Sequence, residues 1–431
     1  MITATIGRKF LKIYNEKFDT NYDAKSFFVN VYHPLFYNSN KYMQWVQNSP
    51  FVQMKKGQKV DKLNESERKE KLNELISKID SGFKDASVAL GFPASEGKEF
   101  ATTSGQVSNI NIKTSIEDIY LSWIGSSLGI GLQGGISILF DDKQILLDLY
   151  EGWILYRKAL DSNPNLKGNQ IATWNGQWLS HKYSKDYITE IPMANFNPYT
   201  TKDNSMSLDT VSWTKVIIGI SRTYMRKQII GYIYNFGQTN TTIGFIPFEL
   251  NQIRKPIDLY IKLFGMEEGQ KAEKLWGTAL GFEKSCQMGC IGIRAMEPKG
   301  LTDYIKGKIP KYDNREDKTI NFNTYLIWIM SMLNNEQLWA KAQEFAKELQ
   351  IYASKDERGK TVNTNKVKAI LETTNKMKFI NSLKDFVSTS ENPQRITELA
   401  SIVNTMPAEN VPYFLVLIRF HYAAINNPNN K

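Results

Sequence analysis

The chain has 431 residues, 42% of them hydrophobic and 12% aromatic, a composition that supplies folded cores and excludes a disordered or low-complexity protein. It carries 54 Lys and Arg against 44 Asp and Glu, a net charge of +10 that favours an acidic partner such as nucleic acid. Its two cysteines exclude a secreted disulfide framework and make a reducing, cytoplasmic setting the expectation.

The excess charge is dispersed. Residues 301–431 hold 18 basic and 14 acidic side chains, so no tail carries it and any basic surface must be assembled by folding. The opening run MITATIGRKF lacks the apolar stretch of a signal peptide. Ile6, Phe10, Ile13 and Tyr14 recur at helical spacing, and Asp23 is placed to cap a second helix through Phe27, Phe28 and Val31 that Pro34 would end. Residues 61–80 predict a charged helix with Leu72, Leu75 and Ile76 on one side and a solvated face opposite.

From about residue 84 to 300 glycine becomes frequent and short β-rich runs are expected at 107–112, 135–140, 216–220, 229–234 and 242–248. Helices are expected between them at 144–160 and at 256–264, the latter ended by Gly265. From about 320 the pattern is helical, with elements predicted at 322–333, 335–353, 364–388, 394–404 and 408–425. The apolar run 411–425 contains Arg419 and His421 and falls short of the roughly 20 residues a bilayer span needs, so it predicts a buried helix and no membrane partner. The expected fold class is α+β: a large mixed amino-terminal domain over 1–305, a linker over 306–319, and a carboxy-terminal α-helical bundle over 320–431.

In the same order, the motifs begin with GSSLGIGLQGG, residues 125–135, in which Gly129, Gly131 and Gly134 satisfy G-x-G-x-x-G. A dinucleotide site needs these glycines to open a helix, whereas here they lead into the strand-like ISILF, and there is no P-loop lysine. Two readings stay open, a structural turn and a bare loop that meets nucleic acid through its backbone, with Gln133, Gly134 and Gly135 at its tip. Asp141, Asp142 and Lys143 follow that strand. They match a metal-dependent nuclease core, with Glu117 or Asp118 upstream, and equally a turn that caps the next helix. The segment TWNGQWLSHKY, residues 173–183, is consistent with a β-hairpin turned by Asn-Gly around core tryptophans, or with Asn175 and Gln177 as base-edge readers beside stacking rings and Lys182.

Arg222, Tyr224 and Arg226, with Lys227, would share one face if their segment were a strand, a surface suited to phosphates and bases or simply solvated. Arg254, Lys255 and Arg294 are further basic positions. Cys286 and Cys290 are spaced C-x3-C, but with only His33, His181 and His421 elsewhere no second ligand pair completes a zinc site. No metal, cofactor or catalytic residue is expected, and no G-x-S-x-G elbow occurs.

The run MITATIGRKFLKIYNEK, the loop GLQGG, the segment QIATWNGQWLS and the whole-chain layout together resemble the large subunit of type I CRISPR Cascade effector complexes. The resemblance implies a protein that is not an enzyme. It implies partnership with a guide RNA, target double-stranded DNA, the other Cascade subunits and a helicase-nuclease. In that family the amino-terminal domain reads a short motif flanking the target with a glycine loop, polar side chains and a wedge. Here that role would fall to Gln133, Gly134 and Gly135, with Asn175 and Gln177 as reader or wedge. The bundle resembles the separate small subunit along the displaced strand, and Met296, Met330 and Met332 lie where an internal start would release it. Sequence specificity is otherwise left to guide pairing. A metal-dependent nuclease using Asp141 and Lys143, or a protein-interaction module, are the competing expectations.

Overall fold

The computed structural model describes residues 1–46, 49–82, 114–236, 240–353 and 363–426. The predicted strand at 107–112 lies outside them. The chain divides into two compact units, Met1–Tyr224 with Gln228–Phe248, and Met225–Lys227 with Glu249–Lys431. The predicted linker, 306–319, lies inside the second unit, and its last residues already belong to a helix.

In the first unit, α1 (Ile2–Phe18) packs on α5 (Ile116–Ser126). Asp23 caps α2 (Ala24–Phe27) as expected, accepting from the Ser26 amide at 2.7 Å. Pro34 does not end this helical run. A π-helical turn over Phe28–Tyr32 runs directly into α3 (His33–Phe36), and the proline lies within this continuous run just after the π turn. The charged helix α4 (Glu65–Asp80) opens with a reciprocal capping box between Asn64 and Glu67 and buries Leu72, Leu75 and Ile79.

A short hairpin follows, β1 (Ile130–Leu132) and β2 (Ile136–Phe140), then the long helix α6 (Lys143–Ser162) and α7 (Ile171–Lys182). A small ribbon, β3 (Tyr199–Lys202) with β4 (Ser205–Leu208), leads to α8 (Trp213–Thr223). The predicted strand at 216–220 is therefore helix. Trp213, Val216, Ile217 and Ile220 are all buried at i, i+3, i+4 and i+7, and Ser212 caps the start. Finally β5 (Gln228–Phe236) and β6 (Asn240–Glu249) join the first hairpin in one sheet of order β1-β2-β5-β6, with β2 antiparallel to both β1 and β5.

The second unit is helical. It runs through α9 (Leu250–Phe264), stopped by Gly265 at φ 88°, then α10 (Met266–Ala272), α11 (Phe282–Gln287) and α12 (Leu301–Ile305). The expected α-helical bundle follows as α13 (Glu316–Leu333), α14 (Gln337–Tyr352), α15 (Thr364–Leu371), α16 (Lys376–Ser382), α17 (Lys384–Thr389), α18 (Pro393–Thr405) and α19 (Val411–Ile425). The single helix predicted over 364–388 is thus three; the first break falls where Asn375 takes extended backbone and caps α16 by accepting from the Lys378 amide at 3.0 Å, and the second is at Leu383. Among the described residues no helix is long and apolar enough to cross a membrane.

Each unit buries a neutral histidine. His33 packs against Phe51, and His421 meets Trp339 edge-on at 4.5 Å. Burial pushes both imidazoles down to about 4. A depressed folded value means the stabilisation is complete above the unfolded value near 6.5 and is lost as pH falls toward 4. Lowering the pH from 7.5 to 5.5 is therefore expected to cost about 1 kcal/mol per histidine in urea denaturation. His421→Phe should remove that slope from the second unit's transition. An unchanged slope would contradict the assignment.

Candidate nucleic-acid interface

The glycine stretch is the turn of the β1–β2 hairpin and its approach. Its first glycines serve packing. A Cβ on Gly129 would fall 2.5 Å from the Tyr234 hydroxyl, and one on Gly131 would fall 2.9 Å from the Ala172 carbonyl carbon. Across from it, a Cβ on Gly176 would lie 2.4 Å from the Gly131 oxygen, so α7 lies directly on β1 through a glycine on each side. Gly134 and Gly135 serve the turn, at φ 88° and 73°. Residues 129–132 are buried, while Gln133, Gly134 and Gly135 are exposed at the tip.

The base of that tip is held from behind and from the side. Asn175, on α7 and fully buried, donates from its amide nitrogen to the carbonyls of Ser127 at 2.8 Å and Gly129 at 2.9 Å. Behind it, the Ser127 hydroxyl bonds Gln44 at 2.7 Å and Tyr32 at 2.5 Å, and Gln44 donates to Ser126 at 3.1 Å. From the side comes the segment 209–211. The Gln133 backbone amide donates to the Val211 carbonyl at 2.9 Å, the Gln133 side chain to Thr210 at 3.4 Å, and the Gln177 side chain to Asp209 at 2.8 Å. Gln133, Gly134, Gly135 and Gln177 are thereby brought together. Asn175 is in the same assembly but in the interior, where it fixes the hairpin and presents nothing to a ligand.

The expected β-hairpin over 173–183 is α7. The Asn-Gly pair makes no turn, because Asn175 is needed inward and Gly176 at the β1 contact. Lys182 is also turned inward. It bonds Glu151 at 2.5 Å, lies 3.4 Å from Asp148, and stands over the Trp178 and Tyr187 rings. Burial acts to lower its pKa, but the Glu151 bond and the Asp148 charge outweigh it and the net shift is upward. Asp148 is in turn pushed up by burial, partly offset by the Tyr183 hydroxyl that donates to it at 2.7 Å. A lysine committed to two carboxylates is a poor phosphate contact.

Arg222, Tyr224 and Arg226 do not share a strand face. Arg222 is in the last turn of α8, Tyr224 caps it and bonds Tyr183 at 3.0 Å, and Arg226 and Lys227 are exposed on the connection to β5.

The acidic triplet after β2 is spent on structure. Asp141 pairs with Lys9, and Lys143 pairs with Glu16 at 3.1 Å. Asp142 caps α6 by accepting from the Gln144 and Ile145 amides at 3.0 and 3.1 Å. Among the described residues no group of three or more His, Cys, Asp or Glu could hold a metal ion. Cys286 is buried, which pushes its thiol up to about 12, and Cys290 is exposed. The segment 209–211 and the Tyr32–Gln44–Ser127 cluster had no signal in the sequence, since each acts through partners distant along the chain. No family model matches the chain, and no curated protein or solved structure matches it either.

Proposed function

We propose that the chain is a non-catalytic, nucleic-acid-binding large subunit of a type I CRISPR guide-RNA complex, acting in the cytoplasm beside other Cascade subunits. On this reading the first unit engages target duplex DNA at a flanking motif, and the helical second unit serves the displaced strand. A helicase-nuclease partner does the cutting. The observation that carries the reading is the exposed tip Gln133–Gly134–Gly135, side-chain-free at two positions and mounted on a base that Asn175 and the 209–211 segment hold in place. Bare backbone on a rigid mount can approach a groove more closely than any side chain allows. The net charge of +10 and the α+β-then-helical order agree with the same assignment.

Gln133→Ala is expected to weaken binding to duplex carrying the correct flanking motif about tenfold, while leaving the melting temperature unchanged. Other duplexes should lose less. Fluorescence anisotropy on both sets of DNA checks this, and equal losses on both would contradict groove reading at the tip.

A further inference from the structure

The second unit holds a cavity that its own side chains leave unfilled. Helix α9 buries Ile253, Ile257 and Tyr260 on its inner side. Leu259 and Leu263, four residues apart and so neighbours on one helix face, are left half-buried and 49% exposed. They line one wall of a cavity of about 560 Å³, a size within the range of about 300–1,000 Å³ typical of small-molecule sites. Met330 near the end of α13 and Trp339 in the first turn of α14 supply the facing apolar surface. These walls are fixed in place. Asn334, at φ 52°, turns the chain from α13 into α14, and its side-chain oxygen accepts from Lys255 of α9, which ties the three helices together around the opening. The buried His421 braces the Trp339 ring at 4.5 Å.

We infer that this cavity binds a small molecule, a flat aromatic ring bearing a carboxylate. The walls select the ring. An indole packs well against another aromatic system, and the Met330 thioether makes favourable sulfur–aromatic contacts. The rim selects the charge. Both signs are present there, but the acidic groups are already balanced. Asp258 lies 3.5 Å from Arg254 one turn back on α9, and Glu336 stands at the amino-terminal end of α14, where the helix dipole favours a negative charge. Lys255 is held by Asn334 but keeps its charge at the rim. Lys262 also lines the cavity and has no ion-pair partner among the described residues, so the charge left to satisfy is positive. An aromatic acid answers both features at once, the ring against Trp339 and the carboxylate toward Lys262.

Calorimetric titration of the full chain with 2-naphthoate, and with its neutral counterpart 2-naphthalenemethanol, decides the matter. The expected result is saturable binding of one naphthoate per chain, about fivefold tighter than the alcohol. Lys262→Met should bind both probes alike, because it removes the charge and leaves the apolar walls. Leu263→Glu, at a position exposed enough to leave the melting temperature unchanged, sets a carboxylate beside the ligand's own and should weaken naphthoate at least about fivefold. Trp339→Leu should weaken both probes by a similar factor. Absence of saturable naphthoate binding overturns the inference, and so does an alcohol that binds as tightly as the acid. Wild-type affinity in Leu263→Glu overturns it too, since the probe would then sit elsewhere on the chain. None of these outcomes bears on duplex binding by the first unit, because no residue of the glycine tip takes part.

Discussion

Gly125→Ala is expected to destabilise the first unit by about 3 kcal/mol, equivalent to roughly 10 °C in melting temperature. Helices α1 and α5 touch backbone to backbone at two glycines. A Cβ on Gly125 would lie 1.8 Å from the Thr3 carbonyl oxygen, and one on Gly7 would lie 2.0 Å from that of Leu121. Neither obstacle is a side chain that could rotate away, so the helices must separate. Separation would strain the buried Thr3–Ser122 hydroxyl bond of 2.7 Å and the aromatic cluster of Phe10, Tyr14 and Phe27 beneath α1. Alanine's better helix propensity returns at most about 1 kcal/mol and cannot offset this. Calorimetry of Gly125→Ala and Gly7→Ala checks both. A loss under 1 kcal/mol in either would show that the α1–α5 contact is looser than described.

Arg419→Met is expected to cost the second unit about 4 kcal/mol. Arg419, 1% exposed in α19, forms no ion pair among the described residues, although the Glu372 charge acts on it. Its guanidinium instead donates to three backbone carbonyls: Leu371 at the end of α15, Thr373 just beyond it, and Tyr304 near the end of α12. Carbonyls at helix ends lack intrahelical donors, and a cation there also complements the helix dipole. Burial lowers the Arg419 pKa to about 10, so the charge persists at neutral pH. Methionine fills the volume but leaves the buried Leu371 and Thr373 carbonyls without this donor, while the Tyr304 carbonyl keeps the Gly307 amide at 3.1 Å. Lysine, a point donor, cannot span all three, so Arg419→Lys should recover little. Urea denaturation measures both variants, and a midpoint within error of wild type for Arg419→Met would contradict the role.

Much of the framework was legible because its signals are local. Asp23 and Asp142 announce their helices through caps that need only the next three residues. Gly265 stops α9, and the ISILF run is a strand, by equally local chemistry. The run 411–425 was readable as buried helix despite Arg419, because its length excluded a membrane. What failed were places where two local signals compete. The β-branched residues 216–220 favour strand by composition, but their apolar spacing with Trp213 is helical, and the spacing decides. In Asn175-Gly176 the dipeptide favours a turn, but the glycine is there for the Gly131 contact.

The candidate site was only half readable for a related reason. That Gln133, Gly134 and Gly135 form an exposed tip follows from glycine content and the strand after it. That Asn175 faces inward does not, since its acceptors lie 48 and 46 residues earlier in the chain. Lys182 reads as a free cation until Asp148 and Glu151 on the neighbouring helix α6 are placed beside it. Burial of a polar side chain is a property of its distant partners, and sequence spacing does not reveal them.

Whether this protein holds nucleic acid at all is best decided by titrating it, with its co-purifying components, against duplex DNA at several salt concentrations. Binding that weakens linearly on a log–log plot, with a slope of about −4 or steeper, is the expected result, because a duplex-binding protein neutralises several phosphates with its basic side chains. Absence of measurable binding to DNA or RNA at about 50 mM salt, where such contacts are strongest, would contradict it.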